Sequence, residues 1–353
     1  MKPPHQAVRS SFAALFSLAL VLALPVYAHF QKQSSHSTNY KLAKTIPIAG
    51  DDGWDYVGVD SDARRVYISH GTHVVVLDAD KYSVAGDIPS TPGVHGIALA
   101  PDLNRGFTSN GRANNVTIFD LKTLNKIGEV ETGQNPDAIV YDSVTKRVFT
   151  MNGRSGDSTA INAADGKVLA TIPLAGKPEF AAADGTGSIY VNIEDKADLV
   201  RLDAKNLSVT NRWSMAPCES PTGLSMDRKN RRLFAGCENK IMAVFDADSG
   251  KPIATPAIGN GVDATAFDPE TSLAFASNGE GTLTVIHEDS PTQFSVAQTL
   301  PTQRSARTLG LDLHTHTLFL PSATLLPPTP EHPRGSPSPH SFVLLIVSPT
   351  DFR

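Results

Sequence analysis

The chain has 353 residues, 40% of them hydrophobic and 7% aromatic, and its 26 Gly and 25 Pro make about one residue in seven a chain-bending type. That density excludes a coiled coil or an all-helical bundle and favours many short strands joined by turns. The 31 basic residues against 36 acidic ones leave a net charge of −5, which argues against a broad nucleic-acid-binding surface.

The first 28 residues have the pattern of a secretory signal peptide. Two basic residues precede an almost wholly apolar segment at 12–24, and Val26 and Ala28 are the small residues that precede a cleavage site. Cleavage after Ala28 removes two positive charges, which leaves a mature chain of net charge −7 in the periplasm or secreted, without a membrane span. An uncleaved anchor is the alternative. Residues 29–39 are polar and are predicted to be a disordered lead-in.

An aromatic residue recurs every 40 to 44 positions inside a short, strand-like segment. The seven members are Tyr67, Phe107, Phe149, Tyr190, Phe234, Phe275 and Phe319. An Asp precedes most of them by seven residues, and an apolar pair with a polar residue follows about ten residues later. Each unit predicts four strands, here called a to d, with the aromatic in strand b. Seven such units predict an all-β, seven-bladed β-propeller over residues 40–353, because stacked sheets bury faces that one sheet cannot.

The seventh unit ends after strand c, at residues 342–347, and lacks a strand d. The segment Tyr40–Ile48 (YKLAKTIPI) looks like a strand d, by comparison with Gly166–Leu174 (GKVLATIPL). We therefore expect the N-terminal strand to pair with the last blade and close the ring. The same blade carries a Pro-rich insertion at 326–340, predicted to be an extended or disordered hairpin tip. It is either a tolerated surface insertion or a partner-binding loop.

The units resemble a known family. Segments VYIS, VFTMN and LFAGC, followed by VVVLDAD, VTIFDLKT and MAVFDADSG, are similar to the YVTN-type, YncE-like propeller repeats of exported bacterial proteins. The resemblance extends from Tyr40 to the C-terminus. It implies a propeller fold and export. It also implies a binding function, since binding, DNA binding included, is attributed to some members.

One residue of each blade enters strand a about twelve positions before the aromatic, at the mouth of the predicted channel. These residues, which we call the mouth ring, are Asp55, His95, Asp137, Glu179, Thr222, Asp263 and Arg307. All except Thr222 and Arg307 offer carboxylate or imidazole ligands suited to Ca²⁺, Mn²⁺ or Zn²⁺, so the ring is a candidate metal site. Alternatively, these side chains bind backbone N–H groups or face channel water.

The loops between strands b and c reach the same face and add further basic side chains. The candidates for binding an anionic ligand there are His70, His73, His95, Arg112, Arg154 and Arg307. Cys218 and Cys237, the only two cysteines, are placed at this face of blade five. Export favours a disulfide between them over two buried free thiols.

Several catalytic motifs are absent from the sequence. There is no GxSxG, Walker loop or HExxH, and the lack of CxxCH excludes a c-type haem. A quinone cofactor is rejected because quinoprotein repeats use a Trp in nearly every unit, and this chain has only Trp54 and Trp213.

These features favour a monomeric binding or scaffolding module whose partner at the channel mouth is a protein or a small anionic ligand. The alternative is a metal-dependent hydrolase or lyase of lactonase type, with an ion held by the ring carboxylates and His95 as general base. Single-stranded nucleic-acid binding follows from the resemblance alone and is not favoured by the charge. Carboxylates close enough to share one ion would favour the enzyme. Separated carboxylates beneath exposed basic loops would favour the binding module.

Overall fold

The computed structural model describes Met1 and residues 39–330 and 335–350. The remainder of the predicted signal peptide, the lead-in up to residue 38, and residues 331–334 of the Pro-rich insertion lie outside the described residues. Among the described residues, no helix is long and apolar enough to cross a membrane.

Seven antiparallel sheets of four strands form a β-propeller, as the repeat predicts. Strand a of blades one to seven spans Trp54–Asp60, Val94–Ala100, Pro136–Asp142, Pro178–Ala183, Pro221–Asp227, Val262–Asp268 and Gly310–Asp312. Strand b spans Arg65–His70, Arg105–Asn110, Arg147–Asn152, Ser188–Ile193, Arg232–Cys237, Leu273–Asn278 and Thr317–Ser322. Strand c spans His73–Asp78, Asn115–Asp120, Asp157–Asn162, Asp198–Asp203, Ile241–Asp246, Thr282–Ser290 and Val343–Pro349.

Strand d lies at the outer edge of each blade. Its seven members are Val84–Ile88, Lys126–Glu131, Val168–Pro173, Ser208–Ser214, Pro252–Ala254, Gln293–Pro301 and Tyr40–Pro47. Each of these strands has a register irregularity against strand c. Because a bulge twists an edge strand away from flat pairing, the repeated irregularity protects the rim against edge-to-edge association. Two short 3-10 helices occupy Pro101–Leu103 and Glu194–Lys196.

The N-terminal strand closes the ring, as predicted. Tyr40–Pro47 pairs antiparallel with Val343–Pro349, so the seventh blade is built from both ends of the chain. Tyr40 is 2% exposed and is also tied to blade six. Its N–H donates to Gln298 Oε1 at 2.8 Å, and Gln298 Nε2 donates to its carbonyl at 2.9 Å.

The recurring aromatics form the repeated core between blades. All seven are at most 1% exposed. Strands a of neighbouring blades contact one another around the axis, so each sheet buries one face against the blade before it and the other against the blade after it. Burying each aromatic contributes on the order of 2 kcal/mol of stability.

The recurring Asp closes the turn between strands a and b. In blade one, Asp60 Oδ1 accepts a hydrogen bond from Ala63 N at 2.9 Å, and in blade three Asp142 accepts one from Thr145 N at 2.8 Å. In four places a basic side chain in this turn pairs with an Asp of the preceding blade. The pairs are Arg64–Asp312 (2.6 Å), Lys146–Asp102, Arg231–Asp184 (3.0 Å) and His316–Asp268 (2.6 Å).

The described part of the Pro-rich insertion begins as a paired stem. Leu326 N donates to Ser336 O at 2.8 Å, and Ser338 N donates to Thr324 O at 2.7 Å. At its end, His340 N donates to Asp51 Oδ1 at 2.6 Å, which attaches the segment to the loop that enters blade one.

Candidate functional site

The mouth ring owes its position to irregularities at the start of strand a. The a–b register shifts between Trp54 and Val57 in blade one, and the corresponding shift recurs in blades two to six. In blade one, the hydroxyl of Ser69 fills the gap and accepts the N–H of Asp55 at 2.9 Å. A bulge leaves residues unpaired and re-aims their side chains, so Asp55 leaves the in–out alternation of its strand.

Three ring residues from adjacent blades converge. His95 Nδ1 lies 2.6 Å from Asp55 Oδ2 and 3.8 Å from Asp137 Oδ1. The three ligand atoms lie within 4.8 Å of one another, which a single cation requires. In this arrangement the imidazole of His95 is itself the hydrogen-bonding partner of Asp55.

The other two ring carboxylates each contact a basic side chain. Arg307 Nε donates to Asp263 Oδ2 at 2.6 Å, and Arg307 Nη2 lies 3.8 Å from Asp55 Oδ1. In blade four, Lys177 Nζ lies 3.0 Å from Glu179 Oε2 and also contacts Glu194. Of the predicted five-ligand set, Asp55, His95 and Asp137 come together, whereas Asp263 is bonded by Arg307 and Glu179 contacts Lys177. Thr222 donates to the carbonyl of Val262 at 2.8 Å and is structural.

Burial and neighbouring charge shift the titration of the ring. Burial raises the pKa of Asp137 to about 7, an effect that Asp55 strengthens and His95 opposes. Burial also raises the pKa of Glu179 to about 8, and the charge of Asp137 adds to it. Burial alone would lower the pKa of His95, but the hydrogen bond with Asp55 and the charge of Asp137 raise it to about 9. His95 is therefore a cation at neutral pH.

Two aromatic rings close the channel directly below the mouth ring. Tyr56 of blade one and Phe180 of blade four each follow a ring residue, and their centroids lie 5.0 Å apart in an edge-to-face arrangement. Phe180 also packs against the buried clusters of the surrounding blades. The residues at the same position of the other blades are Gly96, Ala138, Gly223, Ala264 and Thr308. Sequence reasoning missed this plug, although two aromatics among small residues one position after the ring are a readable signal.

A cavity of about 380 Å³ opens beside the plug, between blades two and three. We call it the mouth cavity, and its lining comprises Gly93, His95, Gly111, Arg112, Asn114, Asn135 and Arg154. Arg112 and Arg154 are exposed, and among the described residues neither guanidinium has a hydrogen bond or an ion pair. Both arginines belong to the predicted ligand-binding set.

A second cavity, of about 430 Å³, lies away from the mouth between blades three and four. Its most buried cation, Arg201, already donates to Ser188 Oγ at 2.9 Å and lies over the ring of Tyr190. Because this arginine is already engaged by a serine and an aromatic ring, the larger cavity is the weaker candidate for an anion-binding site.

The two histidines of blade one differ from the prediction. His70 was expected to be exposed at the mouth, but it is fully buried, and its ring stacks on Phe342 with centroids 4.3 Å apart. His73 is partly exposed and lies 3.7 Å from Asp87, towards the outer strand. The physical reason is local: the last residue of strand b still alternates inward, so its ring fills the gap beneath the loop that enters blade one. His70 is thus a core residue.

Cys218 and Cys237 form a disulfide with a Cα–Cα distance of 5.5 Å. Both residues are at most 2% exposed. The bond connects the loop that enters blade five to the end of its strand b, and so fixes the mouth-side end of that blade.

Comparisons with known proteins support the propeller fold and identify a distantly similar protein. No protein-family model matches the chain. The chain is 26% identical over 224 residues to the Probable U3 small nucleolar RNA-associated protein 18 of Schizosaccharomyces pombe, a match that covers 60% of this chain and 42% of that protein. The structure is similar to the Kuenenia stuttgartiensis hydrazine synthase with a TM-score of 0.67 and 13% identity, over 77% of this chain and 93% of the other. At that identity the likeness supports the propeller fold alone.

Proposed function

We propose that the protein is a binding module whose ligand occupies the mouth cavity. The observation that carries the proposal is a pair of guanidinium groups, Arg112 and Arg154, that have no partner among the described residues and lie on the wall of a cavity of about 380 Å³. Cavities of this size are typical of small-molecule sites. The plug formed by Tyr56 and Phe180 supports the same conclusion, because it gives the mouth a floor instead of a through-channel.

A metal-dependent hydrolase or lyase is the second candidate, favoured by the convergence of Asp55, His95 and Asp137. Two observations weaken it. His95, Arg307 and Lys177 already supply the positive charge that an ion would bring. In addition, His95 Nδ1 lies 2.6 Å from Asp55 Oδ2, so two of the three candidate ligand atoms are already engaged with each other.

The metal candidate is tested by thermal unfolding after EDTA treatment, with Ca²⁺, Mn²⁺ and Zn²⁺ added back one at a time. An ion at a hundred times its dissociation constant adds about 2.7 kcal/mol of stability. We expect no ion to raise the melting temperature. A rise with one ion that is lost in Asp55→Asn would place the metal-dependent enzyme first.

Single-stranded nucleic-acid binding has less support. The name of the yeast relative mentions RNA, but the match covers 42% of that protein. Stacking on exposed aromatic rings is the usual basis of such binding. In the described part of the chain, the exposed large hydrophobic residues include no Phe, Tyr or Trp.

We also propose that the protein is exported, monomeric, and a member of the YVTN-type propellers that its repeats resemble. The disulfide between Cys218 and Cys237 supports export, because such bonds persist in oxidising compartments. The closed ring and the irregular outer strands support a monomer, because they leave no flat edge for pairing.

A thermal-shift screen with a mixed set of small molecules and short peptides tests the binding proposal. Gly111→Leu fills the mouth cavity, and Thr210→Leu, in the second cavity, is the matched control. We expect compounds that stabilise the wild-type protein to lose their effect in Gly111→Leu and to keep it in Thr210→Leu. The proposal fails if the pattern is reversed, or if no compound depends on the mouth.

A further inference from the structure

We infer that the ligand of the mouth cavity is a small organic anion, held through its carboxylate or phosphate oxygens by Arg112 and Arg154 above the edge of His95. This inference rests on the proposed binding function and adds the chemical class of the ligand. It stands on three observations: the distribution of charge around the mouth, the access to His95, and the shape of the cavity.

In the loops between strands b and c, one position carries positive charge in a single sector of the mouth. Arg112 and Arg154 occupy the same position in their blades, five residues after the strand-b aromatic. At that position, blades four and six carry Asp195 and Glu280, and the remaining blades carry uncharged residues. Since the arginines lie on adjacent blades and line one cavity, a single ligand can reach both. Planar guanidinium groups match the oxygens of carboxylate and phosphate, often in pairs of hydrogen bonds.

His95 presents one ring edge to this cavity. Its Nδ1 is engaged with Asp55, while its side chain remains 29% exposed. Gly111 lies over the other edge: a Cβ at this position would come within 2.6 Å of His95 Nε2. The glycine therefore keeps the Nε2 edge accessible, and the imidazole lines the same cavity as the two arginines.

The volume of the mouth cavity, and the two arginines in its lining, favour a small molecule. About 380 Å³ accommodates a molecule with a few carbon atoms and two anionic groups, one for each guanidinium. A ligand without charge would leave both arginines without a partner, and a cation would be repelled by them.

The test measures binding of chemically matched probes by calorimetry at constant ionic strength. The anionic probes are succinate, citrate and inorganic phosphate; erythritol is the neutral probe and putrescine the cationic one. We expect at least one anionic probe to bind and the neutral and cationic probes not to. Each charge-assisted contact is worth about a tenfold change in affinity, so Arg112→Ala and Arg154→Ala should each weaken binding about tenfold.

Two further variants distinguish binding in the mouth cavity from nonspecific attraction of anions to positively charged side chains. Gly111→Ala places a methyl group against His95 Nε2 and should weaken binding while both arginines remain. Arg304→Ala removes an exposed arginine from another sector of the same face and should leave the affinity unchanged. Circular dichroism and the melting temperature show that each variant is folded.

The outcomes distinguish the two proposals. Equal weakening by Arg304→Ala, or binding unaffected by Gly111→Ala and by both arginine variants, overturns the inference. If the mouth-dependent compounds of the thermal-shift screen are neutral or cationic, the inference fails and the binding function stands. If no compound depends on the mouth, both fail.

Discussion

The partners of single side chains decide what the mouth ring can do. Residue types and spacing bring several carboxylates to one face, which by itself suggests an ion. The structure supplies a protein cation to each group of them, and it sends His70 into the core, where its ring stacks on Phe342. The ring is consequently an internally compensated, charged floor for the cavity above it.

Arg307 is the residue on which this compensation most depends. It bonds Asp263, approaches Asp55, and lies over the ring of Trp54. We expect Arg307→Met to destabilise the protein by about 3 kcal/mol, because it removes the guanidinium that is hydrogen-bonded to the largely buried carboxylate of Asp263. Urea unfolding measures the change, with Arg304→Met as the exposed control. A loss no larger than that of the control would contradict the assigned role.

Glu179 should make stability depend on pH. Burial raises its pKa to about 8, so the folded state binds the proton more tightly than the unfolded chain. Its stabilising contribution is therefore complete below about pH 4.5, the usual value, and is lost as the pH rises through about 8. We expect Glu179→Gln to lose less stability than the wild type between pH 6 and pH 9.

Melting temperatures across this pH range provide the measurement. The control is Glu280→Gln, an exposed side chain on the same face. Identical slopes in the Glu179→Gln and wild-type proteins would show that Glu179 titrates normally.

At the scale of elements, the joint between blades five and six differs from the joints on either side of it. Those two joints, and two others, use a basic side chain in the a–b turn, but blade six has Ser272 at that position. Glu288, 6% exposed at the end of a lengthened strand c, reaches Asn230 of blade five instead. Burial raises the pKa of Glu288 to about 7, and the charge of Asp227 contributes. The joint thus brings together two acids where its neighbours pair an acid with a basic side chain.

The contact between blades five and six predicts a second pH dependence of stability, at the face opposite the mouth. Because the pKa of Glu288 is raised, its contribution to stability is present below about pH 4.5 and is lost as the pH rises through about 7. We expect Glu288→Gln to unfold at a higher temperature than the wild type at pH 8, and to show no such advantage at pH 5. An equal difference at both pH values would contradict the role of charge. Glu238→Gln, exposed on blade five, is the control.

At the scale of the whole molecule, closure of the ring depends on one strand. Without Tyr40–Pro47, the strand Val343–Pro349 would be an exposed hydrophobic edge, and the ends of the chain would no longer be joined. We expect Tyr40→Ala to cost about 3 to 5 kcal/mol, since it empties a fully buried aromatic position. Leu42→Ala, on the same strand but exposed, should cost far less.

Hydrogen exchange followed by mass spectrometry tests how far the effect spreads. In Tyr40→Ala, faster exchange should begin in blades seven and six, which Tyr40 connects, and should be weakest in blade three on the far side. An equal increase in exchange rate in all blades would indicate that the blades open together, and would contradict opening that starts where the N-terminal strand joins the last blade.

The repeat in the sequence determined the blade number, the strand order and the closing strand, because each blade buries the same aromatic at the same interval. It also placed the mouth ring on one face, since position within the repeat maps directly onto depth in a propeller. The repeat does not determine which partner each side chain contacts. Whether Asp55 meets a metal or His95, whether His70 faces solvent, and how Tyr56 meets Phe180 depend on residues 17 to 272 positions apart brought together around the axis. Only the tertiary structure decided these contacts, because the energy of a charge or a ring depends on the few ångströms around it and not on the repeat that carries it there.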